Sequence, residues 1–266
     1  MVDRVAIILA AGISSRMDTA THKTGKVPKV LHEVCGRPML AYVLDVCRRI
    51  GVKKIYVVVG FGAEQVKKRF ADDGDIVWVY QVEQKGTADA VLCCKEYLKN
   101  FEGETLILCG DGPLVRVETL EALIDKHDGQ TSATLATAIL ERAAGYGRIV
   151  RDEKGNIERI VEDKDCTAEQ LKIKEVNPSY YLFNNKRLFE ALAKVRPDNV
   201  QKEYYLTDVL SIMLESGQKV AAVTAVSADE AISVNTREQL NEVNEIMRRR
   251  LNGKSQIANG KSRGKR

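Results

Sequence analysis

A glycine-containing loop follows the first apolar segment of the chain. Residues 5–10 are apolar, and the stretch of residues 9–29 carries Gly12, Arg16 and Lys29. Small side chains let backbone N–H groups approach an anion, and arginine or lysine can then neutralise its charge. The stretch lacks the glycine spacing of a dinucleotide-binding fold and of a P-loop, which excludes both. We therefore predict a loop that holds a nucleoside triphosphate.

Two oxygen-bearing side chains are candidates for a magnesium site. Asp111 ends an apolar segment and is followed by Gly112-Pro113, and Asn235 immediately precedes Thr236. A hard cation that bridges phosphates takes one or two protein oxygens and keeps several waters. Taken alone, Asp111 is equally consistent with a turn, whereas Asn235 is better explained as the residue before a helix N-cap. Both alternatives stay open at this point.

A third polar loop has groups suited to a nucleotide base. Gln81 follows an apolar segment and offers both a donor and an acceptor for a base edge. Gly86 permits close approach, and Thr87 is expected to cap the next helix, a role compatible with contact to the ligand. Ligands of doubly wound sheets bind beyond the carboxyl ends of the strands, where this loop and the two features above are expected to converge.

A sugar ring can lie against the tight loop around Gly147, where the backbone is bare. Glu162 and Asn177 lie at the end of one strand-like segment and within another. Each is suited to bonding sugar hydroxyls, and each is equally consistent with a solvated polar residue. The sequence therefore predicts a sugar site here without deciding between these alternatives.

The elements that position these loops alternate in type through the first half of the chain. Strand-like residues 5–10, 54–59, 76–80 and 105–109 are each followed by helical apolar spacing. This order indicates parallel strands between helices. From residue 132 onwards, strand-like segments follow one another with fewer helices between them. We predict an α/β fold with a Rossmann-like, mixed but mostly parallel sheet, and a small β extension that forms a second wall.

The net charge of +4 is due to an excess of basic residues at the C-terminal end. Between Arg248 and Arg266 lie eight of the 41 Lys/Arg residues and none of the 37 Asp/Glu residues, so the preceding body is acidic. We predict one domain over residues 1–251 and a basic disordered tail over residues 252–266. The tail is the only candidate for nucleic-acid contact, and a solubilising role is the preferred interpretation.

Cellular location and redox state can be inferred from the apolar segments and the cysteines. No apolar run approaches the roughly 20 residues that span a bilayer, and the N-terminus has no signal-peptide pattern. We expect a cytoplasmic protein without a membrane partner. The six cysteines show no C-x-x-C spacing, which favours buried thiols over zinc or disulfides.

The motifs taken together resemble one family. In chain order they are LAAG-x-x-x-RM, PKVLHEVCGRPML, Q-x-E-Q-x-GT, GD-x-PL, GYGRIV, VE-x-KD, EYYLTD and VN-x-R. This set resembles the uridyltransferase domain of the bacterial N-acetylglucosamine-1-phosphate uridyltransferases, within the sugar-nucleotide pyrophosphorylases. The resemblance covers residues 5–251. The first motif marks only the broader nucleotidyltransferase superfamily, whereas Q-x-E-Q-x-GT, GYGRI and EYYLTD are more specific.

The resemblance implies a GT-A-like nucleotidyltransferase and a Mg²⁺-dependent reaction. UTP and N-acetylglucosamine 1-phosphate would give the cell-wall precursor UDP-N-acetylglucosamine and pyrophosphate. The implied UTP contacts are Leu9, Ala10, Ala11, Gly12, Lys29, Gln81, Gly86 and Thr87. The implied catalytic residues are Arg16, Lys29 and Asp111, with Asp111 and Asn235 as the Mg²⁺ ligands. The implied sugar-binding residues are Gly110, Gly147, Glu162 and Asn177.

The chain departs from the family pattern at four places. Ser14-Ser15 replaces the usual Gly-Thr, and the loop is longer by residues 18–27. Cys109-Gly110-Asp111 stands where Tyr-Gly-Asp is common, and Asn177-Pro178-Ser179 where Asn-Thr-Gly is usual. These departures concern the sugar more than the reaction. Another sugar 1-phosphate or another nucleoside triphosphate is therefore the alternative, and a non-catalytic nucleotide-binding regulatory module is the second.

Bifunctional members of the family continue into a left-handed β-helix of hexapeptide repeats. That domain carries acetyltransferase activity and the trimer contacts. The chain stops soon after its last helical pattern, so we expect neither acetyltransferase activity nor a hexapeptide-repeat trimer from these residues.

Overall fold

The structure is a computed structural model that describes residues 2–12 and 27–263, with side chains through residue 253. Within these residues the strands are β1 (Arg4–Ala10), β2 (Glu33–Val34), β3 (Arg37–Pro38), β4 (Ile55–Val59), β5 (Ile76–Tyr80), β6 (Glu104–Cys109), β7 (Thr131–Ile139), β8 (Gly147–Arg151), β9 (Ile157–Val161), β10 (Glu175–Asn184) and β11 (Lys219–Thr224). The helices are α1 (Met39–Arg49), α2 (Ala63–Arg69), α3 (Thr87–Leu92), α4 (Lys95–Leu98), α5 (Val117–Lys126), α6 (Asn185–Leu192), α7 (Thr207–Glu215) and α8 (Arg237–Arg263).

The strands of the first half of the chain form a parallel sheet. β1 lies between β4 and β6, and β5 pairs with β4 on the far side, all in parallel. In this register Leu9 lies opposite Cys109, and Val59 lies opposite both Ala10 and Tyr80. The carboxyl ends of these strands therefore meet at one edge, as the alternation of strands and helices predicted.

The second half of the chain makes the sheet mixed. β10 lies antiparallel between β6 and β7, and β11 extends the sheet in parallel with β7. The β8–β9 hairpin pairs with β10, where Gly147 lies opposite Asn177. This hairpin is the predicted β extension, so the α/β fold class is confirmed.

Helices cover both faces of the sheet because the central strands are apolar on both sides. One buried cluster joins the sheet to α1, α2 and α5 and includes Leu44, Val66 and Leu120. The other joins it to α3, α4, α6 and α7 and includes Val91 and Leu210. The edge that carries the predicted loops is left open between these layers.

The last helix is longer than predicted. Thr236 and Gln239 form the predicted capping box, in which each side chain accepts a hydrogen bond from the other residue's backbone N–H. The backbone of α8 then continues to Arg263, past residue 252, where the sequence predicted disorder. No proline interrupts this segment, and a glycine costs a helix only about 1 kcal/mol relative to alanine. The division into a domain and a tail stays a prediction.

In the part of the chain that the structure describes, no helix is both long and apolar enough to cross a membrane.

Candidate active site

A cavity of about 310 Å³ opens at the carboxyl ends of β1, β5 and β6. It collects all the predicted UTP-contacting residues together with Asp111. Its lining includes Leu9, Ala10, Ala11, Gly12, Lys29, Gln81, Gly86, Thr87 and Asp111. The structure thus brings these residues together, and their contacts with a nucleotide stay predictions. Arg16 lies outside the described residues.

The loop after β5 closes one side of this cavity. The Gln81 side chain is buried and donates both amide N–H groups, to the Gly86 carbonyl oxygen at 3.0 Å and the Asp89 carboxylate at 2.8 Å. The predicted cap at Thr87 is wrong, because Gly86 occupies the N-cap position of α3. The Thr87 hydroxyl instead accepts the backbone N–H of Leu206 at 2.9 Å. Thr87 therefore ties the loop to the segment that precedes α7.

Lys29, Asp111 and Asn235 form a cluster in which Lys29 and Asp111 line this cavity. The Lys29 ammonium donates to the Asp111 carboxylate and, at 2.7 Å, to Oδ1 of Asn235. The Val234 N–H donates to the Asp111 carbonyl oxygen at 3.1 Å, which holds the two segments side by side. Asn235 therefore does more than precede a helix cap, because its side chain and the Asp111 carboxylate both accept hydrogen bonds from the Lys29 ammonium.

This cluster fits a divalent cation. The lysine ammonium already occupies a position between a carboxylate oxygen and an amide oxygen, which shows that a cation can lie there. Oδ1 of Asp111 is buried and has no hydrogen-bond partner among the described residues. One carboxylate and one amide oxygen suit Mg²⁺, which keeps several waters when it bridges phosphates. Both residues are therefore placed as a metal site requires, and their ligation of Mg²⁺ stays a prediction.

A second cavity, of about 510 Å³, adjoins the first. It lies against the β extension and is lined by Gly147, Glu162 and Asn177, three of the predicted sugar-binding residues. Cys109 and Asp111 line both cavities. Since the two cavities share these residues, two ligands bound in them would meet beside Asp111.

The predicted sugar-binding residues differ in their surroundings. A Cβ at Gly147 would lie only 3.0 Å from Cγ2 of Ile160 and at an ordinary contact distance of 3.5 Å from Oε2 of Glu162, so glycine leaves room for the Ile160 side chain. The Asn177 amide donates to the Tyr181 hydroxyl at 2.5 Å. Gly110 lines neither of the two cavities; it is buried, and its N–H donates to the Leu9 carbonyl oxygen at 2.9 Å.

Carboxylates surround the sugar side of the site. Burial raises the pKa of Glu162, the Thr207 hydroxyl bonded to it at 2.9 Å opposes that shift, and the nearby Asp208 charge adds to it. Burial, and then the charge of Asp165, raise the pKa of Asp208 to about 6. Burial also raises the pKa of the Cys109 thiol to about 12, so the thiol is neutral. The carboxyl groups of Glu162 and Asp208 therefore hold their protons to higher pH than exposed carboxyl groups do.

The raised pKa of Asp208 predicts a pH-dependent stability. The folded protein holds this proton up to about pH 6, whereas the ordinary value is 3.8, so stability falls as the pH rises through this interval. We expect Asp208→Asn to raise the free energy of unfolding by ~1 kcal/mol at neutral pH, after screening by solvent. Urea denaturation should show this gain shrinking as the pH is lowered from 6 towards 4. Asp72→Asn, at an exposed position, is the control, and an equal gain at every pH would contradict the assignment.

Several residues of the site were not predicted from the sequence. The Gln84 amide donates to the Ala11 carbonyl oxygen at 2.5 Å and lines the nucleotide cavity. Ser179 and Tyr205 line the second cavity, and Thr207 lines a neighbouring one. Gln84, Tyr205 and Thr207 lie in the motifs Q-x-E-Q-x-GT and EYYLTD, so a signal was present. Ser179 was visible only as a departure from the family pattern.

The chain resembles known proteins along most of its length. The profile of the nucleotidyl transferase family matches residues 5–244. The chain is 47% identical over 252 residues to "Bifunctional protein GlmU" of Geobacillus sp. (strain WCH70), which covers 94% of the chain and 53% of that protein. It is 45% identical over 258 residues to the protein of the same name in Bacillus cereus (strain G9842), covering 97% of the chain and 54% of that protein. The chain thus spans about half the length of these relatives.

Proposed function

Because the chain belongs to the nucleotidyl transferase family, we propose that it transfers a uridylyl group from UTP to N-acetylglucosamine 1-phosphate. The products are UDP-N-acetylglucosamine and pyrophosphate. The observation that carries the proposal is the cluster of Lys29, Asp111 and Asn235, which lies where the two cavities meet. The resemblance of the sequence motifs and the relatives named GlmU support the choice of substrates.

The chemistry is dictated by the charge of the reactants. A phosphate oxygen of the sugar 1-phosphate forms a bond to the α-phosphorus of UTP, while the bond to the leaving pyrophosphate breaks. The attacking oxygen is already ionised near neutral pH, so no general base is needed. The protein must bring two anions together and stabilise the charge on the transferring group. Among the described residues that line the two cavities there is no histidine, in keeping with this requirement.

Each part of the site has a role in this reaction. Lys29 neutralises Asp111 before the substrates bind and supplies positive charge at the edge where the triphosphate lies. Asp111 and Asn235 would hold Mg²⁺, which supplies charge neutralisation to the phosphates when bound. Arg16 is assigned to the triphosphate by the family resemblance. Together these groups supply positioning and electrostatic stabilisation.

The surroundings of Gln81 support the choice of base. Both amide N–H groups of Gln81 are used within the protein, at 3.0 and 2.8 Å. Its carbonyl oxygen is therefore the group left to accept a hydrogen bond from the base. Uracil has a ring N–H that can donate to it. This favours UTP over a base whose ring nitrogens only accept.

A substrate matrix tests the proposal. Pyrophosphate release is measured with each common nucleoside triphosphate against several sugar 1-phosphates, with Mg²⁺ and with EDTA. We expect kcat/KM to be about tenfold or more higher for UTP with N-acetylglucosamine 1-phosphate than for other pairs. If turnover is highest with another pair, the proposed substrates are wrong but the proposed nucleotidyl transfer stands. Nucleotide binding without turnover in any pair would favour the regulatory module.

A further inference from the structure

The orientation of the Gln81 amide is fixed by two oxygens that can only accept hydrogen bonds. Nε2 of Gln81 lies 3.0 Å from the backbone carbonyl oxygen of Gly86 and 2.8 Å from the carboxylate of Asp89. Neither a carbonyl oxygen nor a carboxylate can donate, so an amide turned by half a revolution would place its own oxygen against both acceptors. The NH2 end of the Gln81 amide must therefore face Gly86 and Asp89.

The backbone on both sides of this contact is held in place. The Gln81 N–H donates to the Val59 carbonyl oxygen at 2.9 Å, directly after the last residue of β5. Asp89 lies in the first turn of α3, where the Gly86 carbonyl oxygen also accepts the Ala90 N–H at 3.2 Å. Gln81 is only 6% exposed, so its amide has little water to bond instead. The direction of the amide is the remaining freedom, and Asp89 and Gly86 remove it.

The Asp89 carboxylate is committed to Gln81. Within residues 2–12 and 27–253 it makes no ion pair, and its one side-chain hydrogen bond is the bond to Gln81. Lys85, the nearest basic residue in the sequence, is paired with Glu83. The structural alternative is that an acidic residue in the first turn of α3 interacts favourably with the helix dipole. That role requires only the negative charge and is independent of Gln81.

We propose that Asp89 is a positioning residue that sets the preference of the site for the nucleobase. Gln81 lines the nucleotide cavity whereas Asp89 does not, so Asp89 acts through Gln81. By holding the NH2 end of the amide, it leaves the Gln81 carbonyl oxygen to meet the base. Uracil has a donor at ring position N3, and cytosine has an acceptor there, so the fixed oxygen accepts from uracil and opposes the ring nitrogen of cytosine. The inference rests on the proposed function and deepens it.

Asp89→Ala tests this role because it removes the only hydrogen bond between the two side chains. Without the carboxylate, the Gln81 amide loses one of its two restraints and can turn its NH2 end towards the base. The ratio of kcat/KM for UTP to kcat/KM for CTP, measured with N-acetylglucosamine 1-phosphate, should fall about tenfold, as expected for one charge-assisted hydrogen bond. Asp89→Asn keeps the shape and one acceptor oxygen, and should lower the ratio about threefold.

A control variant and a double variant exclude the structural alternative. Glu118→Ala removes an exposed acidic residue from the first turn of α5, and should leave the ratio for UTP over CTP unchanged. If Asp89 acts through Gln81, Asp89→Ala should change the ratio by less than about twofold when it is introduced into Gln81→Ala. A thermal melt of each variant shows that the proteins compared are folded.

The results distinguish the inference from the function on which it rests. Absence of wild-type turnover with UTP and N-acetylglucosamine 1-phosphate refutes the proposed function. Calorimetric binding of UTP and of CTP, measured without the sugar phosphate, then still tests Asp89, with the same fall in the ratio of affinities expected. Normal wild-type turnover with an unchanged ratio in both Asp89→Ala and Asp89→Asn refutes only the positioning role. An equal effect of Asp89→Ala with and without Gln81 also refutes it.

Discussion

Asp111→Ala is expected to lower kcat/KM by about a thousandfold or more while the protein stays folded. The side chain lines both cavities, bonds Lys29 and presents one buried oxygen that has no hydrogen-bond partner within residues 2–12 and 27–253. Its removal takes away the carboxylate of the predicted metal site and leaves the Lys29 ammonium with its bond to Asn235. The backbone carbonyl oxygen of residue 111 still accepts from Val234, so the two segments stay together. Steady-state kinetics at saturating Mg²⁺ measures the loss in kcat/KM, and a thermal melt of each protein shows whether it stays folded.

Two further variants sharpen this result. Asp111→Asn keeps the shape and one oxygen but removes the charge, and should fall between wild type and Asp111→Ala. Asp125→Asn, on the exposed side of α5, is the matched control and should behave like wild type. Activity of Asp111→Ala close to that of wild type at saturating Mg²⁺ would refute both the metal assignment and the central place of the cluster.

The parallel half of the fold was predictable because its signals are local. The run from Val5 to Ala10 is apolar at every position, as a strand buried on both faces requires, and the structure adds only Arg4 to it. Alternation with helical spacing then implied the parallel order. The position of β10 between β6 and β7 was not predictable, since it depends on pairings between distant segments, such as Tyr181 with Ile107.

The site was predictable to the same degree and for the same reason. Strand ends identified Gln81 and Asp111 as neighbours, because the loops that leave parallel strands all emerge at one edge of the sheet. The contact between Lys29 and Asn235 joins residues 206 positions apart, and only the folded chain shows it. The role of Thr87 was misassigned because capping is a local pattern, while its actual partner, Leu206, comes from a distant segment.

Gly86 is where these distant segments meet. The Tyr204 N–H donates to the Lys85 carbonyl oxygen at 2.8 Å, and the Ala88 N–H donates to the Tyr204 carbonyl oxygen at 2.9 Å. The loop after β5 is thus bonded along its backbone to the EYYLTD segment, and Gly86 lies between the two bonds. Its φ of +121° and ψ of 179° belong to a region that is essentially restricted to glycine.

Gly86→Ala is therefore expected to damage both stability and nucleotide binding. A Cβ here would lie 2.4 Å from the carbonyl oxygen and 2.7 Å from the nitrogen of Tyr204, and backbone atoms cannot move away as a side chain can. We expect a loss of ~3 kcal/mol in the free energy of unfolding and a KM for UTP raised about tenfold or more, because separating the segments also displaces Gln81. Urea denaturation and steady-state kinetics measure the two effects.

Gly74→Ala is the matched control for this prediction. A Cβ at Gly74 would meet nothing within 4 Å, and this glycine does not have a positive φ. The control should therefore change stability by less than about 0.5 kcal/mol and leave KM for UTP unaltered. If Gly86→Ala were as stable as Gly74→Ala, the close backbone contact with Tyr204 would be wrong. If Gly86→Ala were destabilised but bound UTP normally, the loop after β5 would be a structural link between the segments and not a wall of the nucleotide site.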